Sequence, residues 1–579
     1  MKEHLSRRAA LGILAGIGIT SQTLVRSLAV EIEQGTLDAD GLARAQWISG
    51  VQLSSEQRDA LVTAVQGHQT QLQSLRAYPL DADTPPALQF LPWHVGTSGG
   101  SKPRPAQTQR RVRPRKVDRR NDPSDDVGLA FASIGVLGSM LRERKISSLE
   151  LTNLCLDRLA HFQPQLNCVV TLTPELAIRL AKEADRELAA GYDRGPLHGI
   201  PWGAKDLIAV EGYPTTWGAE IYRGQIRPTT ATVARRLEAA GSVLVAKLTL
   251  GAFAMGDQWF GGMTKNPWNL EQGSSGSSAG SAAATVAGLV PFAIGSETLG
   301  SIISPSRRCA ATGLRPTFGR VSRAGCMPLA WSFDKLGPMA RSIEDCALVF
   351  GAIHGADGRD PTAVTRPFSW PKKLELKNLR VGYTGSREGR EELAICERLG
   401  MELIAIELPR DLPLDALDLM IDVESASMFY DVWKDGNEDG LFRWGKIWQA
   451  ASFIPAIDYV RAARIRRILM EQMEDVMEKI DVLIAAEDLL ITNLTGHPSV
   501  VMPLHTQSAQ PREEDRNDVD AKAADTTQDA ATKKPPMVTI TGQLFDESRL
   551  LAVAEALQRE SGDQPSRPPA FYRSHRAQP

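Results

Sequence analysis

From Val127 to about Ser561 the chain alternates between stretches whose apolar residues recur every three to four positions and short runs that are apolar throughout. The first pattern makes amphipathic helices and the second makes strands buried on both faces. Ser147-Ser148-Leu149-Glu150 opens one helix, with Glu150 three residues after the Ser147 cap and Leu149, Leu154 and Leu159 behind it. A second helix runs from Pro174 to Ala190, and Gly191 is placed to stop it. Gly241 to Ala246 and Leu379 to Tyr383 read as buried strands. Helices separating strands over so long a stretch predict a layered α/β fold with one large sheet.

The flanks have other textures. Lys2, Arg7 and Arg8 precede the apolar stretch Ala9 to Ile19, and Ser27-Leu28-Ala29 offers small residues at a cleavage site. This is the layout of an export signal over residues 1–29, and Ser6-Arg7-Arg8 resembles a twin-arginine signal, which predicts a periplasmic or otherwise exported protein. Residues 31–78 are polar and Gln-rich with spaced Leu61, Val65, Leu72 and Leu75, which suits one or two modest amphipathic helices. From Pro79 to Pro123 the composition turns to Pro, Gly and Ser and then to basic residues, the signature of a solvated linker. Thr506 to Pro536 has no Ile, Leu, Met, Phe, Tyr or Trp and cannot bury itself. It reads as a polar loop between two neighbouring strands, 498–503 and 537–541. The expected organisation is thus a signal segment 1–29, an extension and basic linker 30–128, a large domain 129–562 carrying the 506–536 insert, and a tail 563–579.

Charge sharpens this picture without naming a partner. The 579 residues sum to −3. Nine Lys or Arg against Asp118 alone put residues 101–120 at +8 and leave the remainder at −11. No aromatics interleave the basic residues, so no nucleic-acid partner is expected. No apolar run reaches the roughly 20 residues of a membrane span. The six cysteines form no C-x-x-C pair, which points away from a metal site and towards buried thiols.

Candidate chemistry gathers in two Gly/Ser segments. Gly273 to Ser281 reads GSSGSSAGS and leads into the Ala-rich stretch 282–293, while Gly295 to Pro305 reads GSETLGSIISP. A Walker phosphate loop needs Gly-Lys followed by Ser or Thr, and that triplet does not occur here. Gly276 to Gly280 satisfies G-x-S-x-G, which would make Ser278 a nucleophile served by His354 or His497. That elbow must follow an apolar strand, and Asn266 to Gln272 is a poor one. Upstream, Lys205 stands in the apolar setting Gly199-Ile-Pro-Trp-Gly-Ala-Lys-Asp-Leu-Ile208.

Taken together and in order, these segments resemble the amidase signature family, as do Gly313 to Ser322, Asp334 to Arg341 and Asn493 to Pro498. The resemblance spans about residues 129–560. It implies the amidase signature fold, an α/β architecture with a large central mixed β-sheet flanked by helices on both faces. It also implies a cofactor-independent amidase acting through Ser301 as nucleophile, Ser277 as the bridging cis-serine and Lys205 as base, with the backbone of Thr298, Leu299 and Gly300 forming the oxyanion hole. No metal is implied. A serine needs a base to lose its proton, and a lysine serves only when neutral, which requires burial. Glu297, Leu299 and Ile303 depart from the common Asp, Gly and Arg of the family. The alternative within the family is the glutaminase component of a tRNA-dependent amidotransferase, which works with a partner protein. The small-molecule partner is an amide, and a homodimer is left open. Trp259, Trp331, Phe429 and Trp433 are pocket candidates only because aromatics often line pockets, and core packing is the simpler account of each.

Overall fold

The computed structural model describes residues 38–49, 51–80, 112–115, 122–436, 439–485, 489–504, 534–562 and 567–572. The expected signal, residues 1–29, lies outside these, as do most of the 79–123 linker and all but the last three residues of the 506–536 insert. Contacts divide the chain into two units, one of residues up to 88 with 410–468 and one of 89–409 with 469–579.

The first unit is helical. Ser55–Ala77 starts at a complete capping box, in which Ser54 accepts from the Gln57 N–H and the Gln57 side chain accepts from the Ser54 N–H. The spaced Leu61, Val65, Leu72 and Leu75 are its buried stripe. In the same unit Phe429 stacks on Trp448, which stacks on Trp444. The Trp433 indole donates to the Ala426 carbonyl. Phe429 and Trp433 are therefore packing residues of this unit.

The second unit is built on an eleven-stranded mixed sheet. Its strands are β1 (Val169–Leu172), β2 (Pro201–Lys205), β3 (Val243–Leu248), β4 (Phe292–Glu297), β5 (Thr312–Arg315), β6 (Lys335–Ala340), β7 (Arg380–Tyr383), β8 (Glu402–Ala405), β9 (Val482–Ile484), β10 (Ser499–Pro503) and β11 (Met537–Gly542). They lie in the order β1-β3-β2-β4-β6-β5-β10-β11-β9-β7-β8. β2 runs parallel to both β3 and β4. β10 and β11, which flank the polar insert, are neighbours as the sequence predicts, and they pair antiparallel. Most of the central strands are buried along their whole length, the condition of a sheet covered on both faces.

The helices α1 (Ser148–Leu166), α2 (Pro174–Ala189), α3 (Ala279–Val286), α4 (Ile303–Cys309), α5 (Ile343–Ile353) and α6 (Glu547–Ser561) supply that cover. α1 begins at the Ser147–Glu150 capping box, and Gly191, with φ +80°, follows the end of α2. Around α1, β3 and α3 one apolar cluster includes Leu159, Phe162, Val243, Val245 and Ala284, with Phe571 from the chain's far end. The cysteines are buried apart from the half-buried Cys326, and none is in a disulfide.

Two readings change. Asn266 to Gln272, a poor strand by sequence, is paired all the same: Lys265–Asn266 and Asn269–Gly273 form a small hairpin outside the main sheet. The basic linker is not solvated throughout. Val112 is buried and bridges Trp370, and the Arg113 N–H donates to the Trp370 carbonyl at 3.1 Å. Arg115 forms an ion pair with Glu555 of α6 while its N–H donates to Glu344 of α5. Composition averages over such a short docking segment, which is seated by one apolar side chain and two carboxylates brought up by α5 and α6.

Candidate active site

Parallel pairing of β2 with β4 sets the site. Trp202 faces Phe292 and Ala204 faces Ile294 across the ladder, so Lys205 and the Ser296–Glu297 end of β4 emerge side by side. In sheets with parallel strands the carboxyl ends are where chemistry gathers, because the chain there leaves the sheet in loops. Lys205 is fully buried, as are its neighbours Ile200, Trp202 and Leu207. The following residue is anchored too: Asp206 pairs with the buried Lys247 at 2.5 Å and accepts from the N–H and hydroxyl of Thr216.

The Gly/Ser loop 274–278 arrives over this end and continues into α3. Its Gly276–Ser277 peptide is cis. Gly276 is required by contact, since a Cβ there would lie 1.8 Å from the Gly256 carbonyl oxygen. Lys205 Nζ lies 2.8 Å from Ser277 Oγ, 3.0 Å from Ser278 Oγ and 2.9 Å from Ser296 Oγ. Ser278 also ties the loop to β4, its hydroxyl donating to the Ser296 carbonyl at 3.0 Å and accepting from the Ser296 N–H at 3.1 Å.

After β4 the chain turns through Thr298, Leu299 and Gly300 into Ser301 and α4. Gly300 has φ +86°, a conformation that favours glycine. The Thr298 hydroxyl donates to Asp334 at 2.6 Å, and the other oxygen of Asp334 accepts from the N–H groups of Leu329 and Ala330. Ser301 is 8% exposed. Its carbonyl accepts from the Ser278 N–H at 3.1 Å, which links the nucleophile candidate to the serine loop through the backbone. Among the described residues the hydroxyls of Ser277 and Ser301 are not hydrogen-bonded to each other, a looseness common before substrate organises a site.

The electrostatics follow from burial. Desolvation drives Lys205 well below the ordinary lysine range, against the opposing pull of Asp334 and Glu297. The direction is the one a neutral amine base requires. Burial alone would raise Glu297, but Arg315 and Lys335, with hydrogen bonds from Arg315 and the Ile303 N–H, bring it down to about 2.

The structure thus brings Lys205, Ser277 and Ser301 to one place beside the turn of Thr298, Leu299 and Gly300. His354 and His497 do not join Ser278: His354 meets Arg320, and His497 meets Thr495. Sequence reasoning assigns no role to Ser296, Asp334, Arg315 or Asn493. Ser296 lies inside the second Gly/Ser segment, and Arg315, Asp334 and Asn493 lie inside the three further segments that carry the resemblance, which mark the stretches without giving these residues a role. Trp259 is buried, whereas Trp331 is 45% exposed and so is not core packing. Its carbonyl accepts from Arg323 at 2.6 Å, which fixes the backbone there.

The Amidase family profile matches residues 150–551, a span that holds all three side chains of the site. The chain belongs to the amidase family. Membership makes it an enzyme, a hydrolase acting on amides. Its relatives include a glutamyl-tRNA(Gln) amidotransferase component of Dechloromonas aromatica, 32% identical, the match covering 76% of this chain and 99% of that one. The corresponding amidotransferase component of Methylococcus capsulatus is 33% identical over 76% of this chain and 98% of its own. Among solved structures, the peptide amidase of Stenotrophomonas maltophilia superposes with a TM-score of 0.64 at 27% identity, covering 77% of this chain and 99% of that chain. No described helix is long and apolar enough to cross a membrane.

Proposed function

We propose that this amidase hydrolyses a carboxylic amide through a Ser301–Ser277–Lys205 relay and an acyl-enzyme. The buried Lys205 amine, 2.8 Å from Ser277 Oγ, carries the reading. Ser301 Oγ attacks the amide carbon as its proton passes to Ser277, whose own proton passes to Lys205. The tetrahedral oxyanion sits against backbone N–H groups of the 298–301 turn, where each donor supports about 2.7–4 kcal/mol of transition-state stabilisation. The relay then runs backwards and protonates the leaving nitrogen, releasing ammonia or an amine. Water repeats the attack on the ester to free the acid and Ser301.

A hydrolysis screen of the isolated chain over short aliphatic, aromatic, peptide and fatty amides tests this, with Ser301→Ala and Lys205→Ala as controls. Turnover by the chain alone and near-complete loss in both variants are expected. Unimpaired Ser301→Ala ends the triad assignment. The second reading, the glutaminase component of a tRNA-dependent amidotransferase, draws support from the amidotransferase relatives. It predicts that the isolated chain is idle on simple amides and releases ammonia from glutamine only with a partner protein.

A further inference from the structure

The peptide unit that joins Ser301 to Ile302 is gripped from both sides. Its carbonyl accepts from the Ser278 N–H at 3.1 Å, and its N–H donates to Glu297 Oε2 at 2.9 Å. The same Glu297 oxygen accepts from the Ile303 N–H at 3.0 Å. With that plane fixed, the backbone of Ser301 has little freedom on its C-terminal side, and the hydroxyl it carries is aimed by a carboxylate that touches no reacting atom.

Glu297 is wholly buried, and a buried carboxylate holds a position only if its charge is met. Ile303, apolar, meets it with a backbone N–H alone. The charge is met chiefly from β5, with Lys335 of β6 adding a positive charge nearby. Arg315, also wholly buried, places Nη1 2.8 Å from Glu297 Oε1, while its Nη2 donates to the His497 carbonyl at 3.0 Å and to Ser499 Oγ at 2.6 Å. Asn493 Nδ2 adds a bond to Glu297 Oε1 at 2.9 Å. The guanidinium fork thus spans three acceptors on two segments, one on β4, one at 497 just before β10 and one on β10 itself. A lysine ammonium, a point charge without a fixed fork, does not reproduce that span.

We propose that Arg315 is a positioning residue for the amidase reaction, holding Glu297 where it fixes the Ser301–Ile302 peptide and so aims the nucleophile. The assignment rests on Ser301 being the nucleophile. Full-length Arg315→Lys, Arg315→Met and the charge-free pair Glu297→Gln with Arg315→Met are compared with Ser301→Ala for kcat and KM on the best amide of the screen. Active sites are counted by a serine-reactive phosphonate. Arg315→Lys is expected to lower kcat per labelled site, and the labelling rate with it, by about 10- to 100-fold. KM should stay within about threefold, because the lost interaction acts on the reacting serine and not on uniform binding. Arg315→Met is expected to fall further, and if it does not fold Arg315→Lys still decides. A merely structural arginine would lower the melting temperature and the number of labelled sites while leaving kcat per labelled site unchanged, and that result overturns the proposal. Loss of labelling in Ser301→Ala together with unchanged kcat per site in Arg315→Lys sinks the positioning role alone. Full labelling of Ser301→Ala sinks the triad and the positioning role together.

Discussion

Ser278→Ala separates two chemistries that share one loop. If the G-x-S-x-G elbow operated, Ser278 would be the nucleophile and its loss would remove catalysis by a factor of about 10⁶. The structure gives Ser278 a supporting part. Its hydroxyl is one of several oxygens around Lys205 Nζ, beside Ser277 Oγ, Ser296 Oγ and the Ser296 carbonyl. Removing one neutral hydrogen bond of about 1 kcal/mol should lower kcat by roughly 5- to 10-fold. The substitution also strips the Ser296 N–H of its Ser278 acceptor, which should destabilise the fold by about 1–3 kcal/mol. Turnover and phosphonate labelling of Ser278→Ala, Ser277→Ala and Ser301→Ala measure all of this, with urea denaturation giving the stability change. The reasoning is refuted if Ser278→Ala can no longer be labelled while Ser301→Ala can.

Lys205→Met should abolish turnover, and its stability relative to the parent should depend on pH. Burial holds the Lys205 amine well below the ordinary lysine range in the native chain, whereas it titrates near ~10.4 when unfolded. Between the lowered native value and the unfolded one the unfolded parent binds a proton the native one does not, so the parent gains stability over Lys205→Met as pH rises through that window, compared at pH 7 and pH 10. Denaturation curves at both pH values check the sign, and kcat/KM of the parent should climb over the range in which Lys205 loses its proton. Arg115→Ala should free the docked 112–115 segment, with a loss of roughly 1–3 kcal/mol and faster tryptic cleavage in the linker; unaltered cleavage would speak against the anchor. Phe571→Ala should destabilise by about 3–5 kcal/mol, since the ring is fully buried against Phe162 at 5.0 Å between centroids. A stability change under about 1 kcal/mol would show that the far end of the chain is not part of that core.

Several elements were legible because their causes are local. The Ser147–Glu150 capping box, the glycine after α2, and the apolar runs of β3 and β7 each depend on residues within a few positions. The stripe Leu61, Val65, Leu72 and Leu75 is equally local, being one face of one helix. Trp331 and the Val112–Arg115 segment differ from expectation because burial is decided by what another part of the chain brings up, and neither composition nor residue type reports that.

The catalytic candidates divide along the same line. Lys205, Ser277 and Ser301 could be named from the sequence because their motifs occur intact and in order, and their residue types are those that amide chemistry demands. That Lys205 is wholly desolvated was only suggested by its apolar neighbours; β3, β4 and the loop of Ser277 and Ser278 close over it from far along the chain. The residues that support the nucleophile lie in segments the sequence marked, but their pairing was not legible. Glu297, Arg315 and Asn493 meet because β4, β5 and the segment before β10 converge, and a charge pair between distant segments leaves no periodicity, spacing or composition by which either partner announces the other.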